Sequence, residues 1–475
     1  MSLRGRSPWV FAGWLLTGLA FALLIGHLLV YVHYAIGLMR FPFDYDQGEG
    51  FELVDTMLFS QGEWPYRDNE TYPFYASNYP PLFHVILVPF AWVFGPAYWY
   101  GRLAGFVGTL ITAVAIGGIV YREERHRGVA ALAGLAFLAS NYVYHVGPLF
   151  RQHMTMVMFE TLAVAVLAQA PSIREAGRRR WALAGGMLLL LAAGYTKQHA
   201  VVTCAAVFAF LLLRNPRRAV IWGAGLALAA GGLFLWIDWA TGGAWWTNII
   251  AANVNEYYLA QFTGLFRQWL RLHGALIVVA ALFALYELYA ARLSLYTIWW
   301  GAAVVSTVLA GKWGAGDSYF ATAIAATCVL SGLAAARALR RRRGAARRAR
   351  GGGAGGGWLC RAARLCRVRA ERGQDAHRGA LLRLAERRAR PGVYPRQPLR
   401  LLRRGGLDAG LRHHRSRADA DRREQRLAHR RPGARGGRPG DERRSRLQPA
   451  RGQRRDHQPD AAQNSQRAVL DPWGA

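Results

Sequence analysis

Three carboxylates fall within six residues in Asp44-Tyr45-Asp46-Gln47-Gly48-Glu49, just past the first apolar run of the chain. Like charges this close raise one another's pKa unless a cation or a positive ligand group neutralises them. One such carboxylate can take a proton from an acceptor hydroxyl. Another can hold a divalent cation, Mg or Mn, against a phosphate. Asp44, Asp46 and Glu49 are therefore the candidate catalytic acids, and Asp44 and Asp46 are the pair for a cation if one is bound. The competing reading is an acidic loop that is merely solvated.

A second set of residues is basic and scattered along the chain. It comprises Arg151 and His153, then Lys197 and His199 in the turn Gly194-Tyr195-Thr196-Lys197-Gln198-His199, then Lys312 ahead of Asp317. Lys197 and Lys312 are the only lysines in 475 residues. A third segment, Tyr72 to Leu82, runs Tyr-Pro-Phe-Tyr-Ala-Ser-Asn-Tyr-Pro-Pro-Leu. Its prolines fix the entry of a helix, and its aromatics, Tyr79 among them, suit a membrane interface. His84, one turn further, reads as a satisfied helix histidine.

These residues must be positioned by apolar helices. A bilayer core takes roughly 20 apolar residues as helix, and only helices satisfy their own backbone there. Candidate spans are 8–34, 97–120, 129–146, 154–170, 181–195, 199–213, 219–240, 274–290, 295–311 and 319–336. The first is long for a cleaved leader and is read as retained. With these spans, six basic clusters fall on one side: Arg4 and Arg6; Arg122, Arg125 and Arg127; Arg174 and Arg178 to Arg180; Arg214, Arg217 and Arg218; Arg292; and the run after Ala336. By the positive-inside bias that side is cytoplasmic. Both lysines and the acidic loop fall on the other. The segment from Pro81 to Gly95 is apolar but short, so ten or eleven spans are expected. The fold class is an all-α, polytopic transmembrane helical bundle with a large outer first loop at 35–80 and a second outer loop at 241–272.

The large net charge of +32 belongs mostly to the C-terminal tail. Residues 337–475 hold 39 of the 60 Lys+Arg residues, all arginine, and no Lys, Ile, Phe, Met or Thr. That pattern is expected of GC-rich DNA read out of frame. The alternative is a basic arm for nucleic acid or anionic lipid. In either case the tail is expected to be disordered. The four cysteines show no CxxC or Cys/His ligand spacing, so neither a disulfide framework nor a zinc site is expected.

Residues 8–336 resemble the GT-C superfamily of membrane glycosyltransferases, in particular the bacterial branch similar to protein mannosyltransferases and the lipid A aminoarabinose transferase. The resemblance rests on the basic N-terminus, one helix, a loop opening with Asp-Tyr-Asp-x-Gly-Glu, and Asn-Tyr-Pro-Pro-Leu entering the next helix. Tyr195-Thr196-Lys197-Gln198, Asn253-Val254-Asn255, and Gly311-Lys312 with Gly316 to Tyr319 are similar in kind. It implies a 1–336 transferase domain followed by the 337–475 tail. It also implies transfer of a sugar from a polyprenyl-phosphate donor to a glycan, lipid or protein acceptor at the outer face of the plasma membrane, with no nucleic-acid partner. Carried over, Asp44, Asp46 and Glu49 are the catalytic acids. Lys197, Arg151, His153, Lys312 and Tyr79 are the substrate-binding set. Relatives place Arg-x-Asp where this chain has Arg151-Gln152-His153, so no acid carries over at that turn. The alternative function is a multispan transporter or flippase for a lipid-linked substrate. Such a protein should show paired discontinuous helices or an internal repeat.

Overall fold

The computed structural model describes residues 8–351, with side chains from 11 to 342; most of the arginine-rich tail lies outside the described residues. Among the described residues the chain is helical, with a single isolated β-bridge between Tyr257 and Lys312. The helices are α1 (Pro8–Arg40), α2 (Glu49–Ser60), α3 (Leu82–Phe94), α4 (Trp99–Glu124), α5 (Arg127–Leu138), α6 (Asn141–Val146), α7 (His153–Leu167), α8 (Ala176–Thr196), α9 (Val201–Arg214), α10 (Pro216–Ala240), α11 (Ala244–Ile249), α12 (Leu259–Ala290), α13 (Leu295–Ser306) and α14 (Ala321–Gly351).

Six of these, α1, α4, α7 with its following turn, α10, α12 and α14, are long and apolar enough to cross a membrane. Shorter apolar helices α5, α9 and α13 join them, as does α8, whose apolar part follows three arginines. The chain is a multi-pass membrane protein. α1 and α10 turn large apolar side chains such as Trp14, Leu23, Leu228 and Trp239 outward, as lipid contact requires. α14 is the opposite case. Its alanine-rich first half, with Ala323, Ala325 and Ala326 fully buried, lets neighbouring helices approach closely at the centre of the bundle.

The loops sort to two ends, as the alternation of basic clusters implies. At one end Arg337 and Arg340 pair with Glu124 at 2.6 and 2.9 Å, Tyr296 donates to Glu123, and Arg214 donates to the Leu293 carbonyl. These contacts join the ends of α4, α9, α12, α13 and α14. At the other end the first loop meets the 147–153 turn, the α8–α9 turn and Asn248, and the segment 256–258 pairs with 311–313.

Three expectations about the spans change. The run 129–146 is not one helix: it breaks at Ala139-Ser140, and Ser140 Oγ lies 2.9 Å from His273 Nε2 on α12. α12 starts at Leu259, so residues 259–273 continue a span rather than belonging to the outer loop. α3 has 13 residues and ends at Gly95, where φ is +68°. That length rises about 20 Å, against about 30 Å for a hydrocarbon core, so α3, like the 12-residue α5 and α13, is shorter than a full crossing.

Candidate active site

The first outer loop is built around a buried ion pair. Glu49 opens α2, and Arg102 stands in the first turn of α4; both are fully buried. Arg102 donates to both Glu49 oxygens, at 3.0 and 2.6 Å, and to the carbonyls of Leu38, Phe41 and Phe43. The Glu49 oxygens also accept from the backbone of Phe150 and Tyr45. Burial raises the Glu49 pKa, but Arg102 and these amides outweigh it and hold the group below the usual range. Its oxygens are occupied, so of the three proposed acids Glu49 positions the loop rather than facing an open cavity. Breaking such a pair leaves the partner charge buried and unpaired. Glu49→Gln is therefore expected to destabilise the protein by about 3–5 kcal/mol, read as a fall in melting temperature in detergent.

Arg151 follows the tight turn 147–150. α4 reaches that turn through small residues: a Cβ on Gly105 would lie 2.6 Å from the Leu149 carbonyl oxygen, so glycine is required there. Arg151 donates to Asp46 Oδ2 at 2.7 and 2.5 Å and stands 3.5 Å from Glu52. Its guanidinium fills the space over Gly48, where any side chain would displace it. Asp46 thus joins Arg151 in the site, whereas Asp44 is exposed beside Gly50. Burial, then the charges of Glu49 and Asp46, raise the Asp44 pKa.

Lys197 breaks α8 with an extended backbone, and the chain turns through a single 3-10 turn into α9. Its Nζ is buried, contacts His153 Nε2, and lies 5.1 and 4.5 Å from the ring centres of Tyr79 and Tyr319. Among the described residues it has no ion pair to a carboxylate. Burial and then the Arg151 charge pull its pKa well below the ordinary lysine value. Lys312 is half-buried in the bridge to Tyr257, and burial lowers its pKa too.

A cavity of about 150 Å³ is lined by Asp46, Tyr79, His145, Arg151, His153 and Asp317. A neighbouring cavity of about 410 Å³ shares Tyr79 and Arg151 and reaches Glu52, Asp55 and Ser77. An apolar groove of about 390 Å³ lies on the far side of the same two chain segments, lined by Pro80, Leu190, Gln198, Leu226, Phe234 and Ile249 among others. Tyr79 lines the polar cavities, and the Lys197 amine packs behind it against Tyr79 and His153, while Pro80 and Gln198 line the groove.

The structure adds groups that the sequence reading passed over. Glu52 and Asp55 are buried one turn apart on α2. Asp55 accepts from Tyr75 at 2.5 Å and from Ser77 at 2.6 Å. Gln152, with its amide turned to hydrogen-bond, donates to both Glu52 oxygens at 3.0 and 3.3 Å. Burial pushes Glu52 up to about 8 and Asp55 to about 6. His84 is fully buried beside them and is not satisfied as expected: its Nε2 has no hydrogen-bond partner. The periodicity Glu49-x-x-Glu52-x-x-Asp55, which aligns three acids on one helix face, was the signal available.

The helical bundle has a counterpart among solved structures. ArnT from Cupriavidus metallidurans in the apo state is similar, with a TM-score of 0.50 and 18% identity over 68% of this chain and 60% of that one. The bundle shares its fold with ArnT. The ArnT structure bound to undecaprenyl phosphate gives a TM-score of 0.49 and 19% identity over 65% of this chain and 60% of that one. The chain thus spans about 60% of the length of the ArnT that it matches. No protein-family model matches the chain, and no curated protein matches it.

Proposed function

We propose that this protein is a membrane glycosyltransferase that moves a sugar from a polyprenyl-phosphate donor to an acceptor at the extracytoplasmic face. The observation that carries this reading is the back-to-back arrangement at residues 79–80 and 197–198. A buried amine without a carboxylate stands behind His153 and Tyr79, which line a cavity of acids and bases, and an apolar groove begins one residue away at Gln198. An amphiphile with a phosphate head and a hydrocarbon tail is the ligand class that such a junction suits. The positive-inside pattern of the loops supports the outer location.

In the proposed reaction the donor tail lies in the groove and its phosphate sits between Lys197 and Arg151. The phosphate supplies the counter-charge that Lys197 lacks, and it competes with Asp46 for Arg151. Asp46, released from that pair, takes the proton of the acceptor hydroxyl. The acceptor oxygen bonds to the anomeric carbon as the bond from that carbon to the phosphate oxygen breaks. Polyprenyl phosphate leaves with its charge stabilised by the two cations. Direct displacement inverts the anomeric configuration. His153 and Tyr79 fix the Lys197 side chain, and Lys312 adds positive potential at the rim.

The test compares cell-envelope glycans and lipids by mass spectrometry with and without the gene, followed by transfer from a radiolabelled polyprenyl-phosphate sugar by the purified protein. The expected result is one sugar modification lost with the gene and restored by the protein. Unchanged envelope profiles together with no transfer in vitro would overturn the reading. Uptake or flipping of the donor without transfer would favour a transporter.

A further inference from the structure

We propose that Glu52, Asp55 and His84 form a site for a divalent transition metal of the zinc type, separate from Asp44 and Asp46. The inference begins with a proton count. The Thr56 hydroxyl donates to the Glu52 carbonyl at 2.8 Å, so toward His84 Nδ1, 3.1 Å away, it can only accept. Nδ1 therefore carries the ring hydrogen of a neutral imidazole, and Nε2 presents a bare lone pair. That lone pair faces Glu52 Oε2 at 3.3 Å and Asp55 Oδ2 at 3.7 Å, and the imidazole is fully buried. Three acceptors thus converge in a buried space, where Ser77 reaches Asp55 Oδ2 and Gln152 reaches Glu52 Oε2 at 3.3 Å but nothing among the described residues donates to His84 Nε2.

Their spacing fits a small dication. A metal held by bonds of about 2.0–2.2 Å at near-tetrahedral angles separates neighbouring donor atoms by about 3.4 Å. The three donor atoms all lie within 4.8 Å of one another. One imidazole nitrogen with two carboxylate oxygens is a zinc-type set, whereas calcium and magnesium take oxygen ligands. Thr56 orients the imidazole through its other nitrogen, and Tyr75 and Ser77 orient Asp55, as outer partners of metal ligands do. Arg151 and Gln152 approach Glu52 chiefly at Oε1, leaving Oε2 to the trio. The cavity that reaches Glu52 and Asp55 gives an ion its path in. Because α2 supplies two ligands and α3 the third, the ion would clip α3 to the first outer loop.

The site does not depend on the transferase reading, and its test needs no activity assay. The full chain is purified in detergent, stripped with EDTA, and titrated with Zn²⁺ against a chromophoric chelator. One equivalent should survive gel filtration and raise the melting temperature. His84→Ala and Asp55→Asn should each weaken binding by about tenfold or more and abolish the thermal shift. The Asp44→Asn, Asp46→Asn double variant should keep its equivalent. A wild-type protein that retains no zinc overturns the proposal. So does zinc retained in both His84→Ala and Asp55→Asn, or lost in the Asp44/Asp46 double variant. If the single variants fail to fold, Co²⁺ in the wild-type protein decides: a four-coordinate ligand-field spectrum supports the site, and a six-coordinate, water-like spectrum overturns it.

Discussion

Lys197→Met is expected to reduce sugar transfer by about 10²–10³-fold and to leave the fold intact. The size follows from the setting of the amine. Lys197 is buried, and no carboxylate among the described residues pairs with it. Its contacts are an imidazole nitrogen and two tyrosine rings. In water an ammonium interacts weakly with a phosphate, but in a site closed to solvent the same attraction is far stronger. Removing it withdraws stabilisation from the charge that develops as the donor phosphate departs. The fold should not suffer, because a buried amine without a counter-ion is itself unfavourable, and methionine has a similar shape. Melting temperature should therefore stay level or rise while the transfer rate falls. A variant that melts earlier and transfers normally would mean that Lys197 serves packing instead.

Asp46→Asn should lower transfer by about 10²–10⁴-fold, and Asp44→Asn should change it only a few-fold. The sequence offers both acids as equals, since they stand two residues apart in one motif. Geometry separates them. Asp46 lines the polar cavity and holds Arg151, while Asp44 is exposed beside Gly50. Asparagine at 46 retains a hydrogen-bond acceptor for Arg151 but cannot take a proton from an acceptor hydroxyl. The partly exposed ion pair is worth little to stability, about 1 kcal/mol or less, so folding should be unaffected. Initial rates at saturating donor check both variants. A severe loss in Asp44→Asn with a normal Asp46→Asn would reverse the assignment.

Much of this site can be read in the linear chain, for a definite reason. In a membrane bundle, alternating loops must lie at alternating ends. Knowing which loops are rich in arginine therefore places Lys197, Arg151 and Lys312 at one end without any knowledge of helix packing. Their scarcity helps too, since the chain has only two lysines and both stand in turns at that end. What sequence spacing cannot supply is the partner from a distant segment. Glu49 reads as a catalytic acid until Arg102, from the start of α4, is seen closing over it. Glu52 and Asp55 read as solvated loop acids because a loop of eight acids against two arginines looks wet. Only the burial of α2 against α3 makes them dry. The break at Ser140 was available locally, since Ser-Asn after an apolar run is a helix-start signal. It was masked by the apolar residues on both sides.

Under the proposed function, the opposed facing of Tyr79 against Pro80, with the Lys197 amine behind Tyr79 and Gln198 in the groove, would set a single boundary where a hydrocarbon tail gives way to an anionic head. A recognition element of that kind registers the joint of the molecule and leaves its far end uncounted. Isoprenoids of different length would enter on similar terms once each fills the groove, because further methylenes lie in the surrounding lipid and gain little by moving from one oily medium to another. Selectivity among natural carriers would then reside in the head group, and the membrane itself would tolerate the variation in the tail.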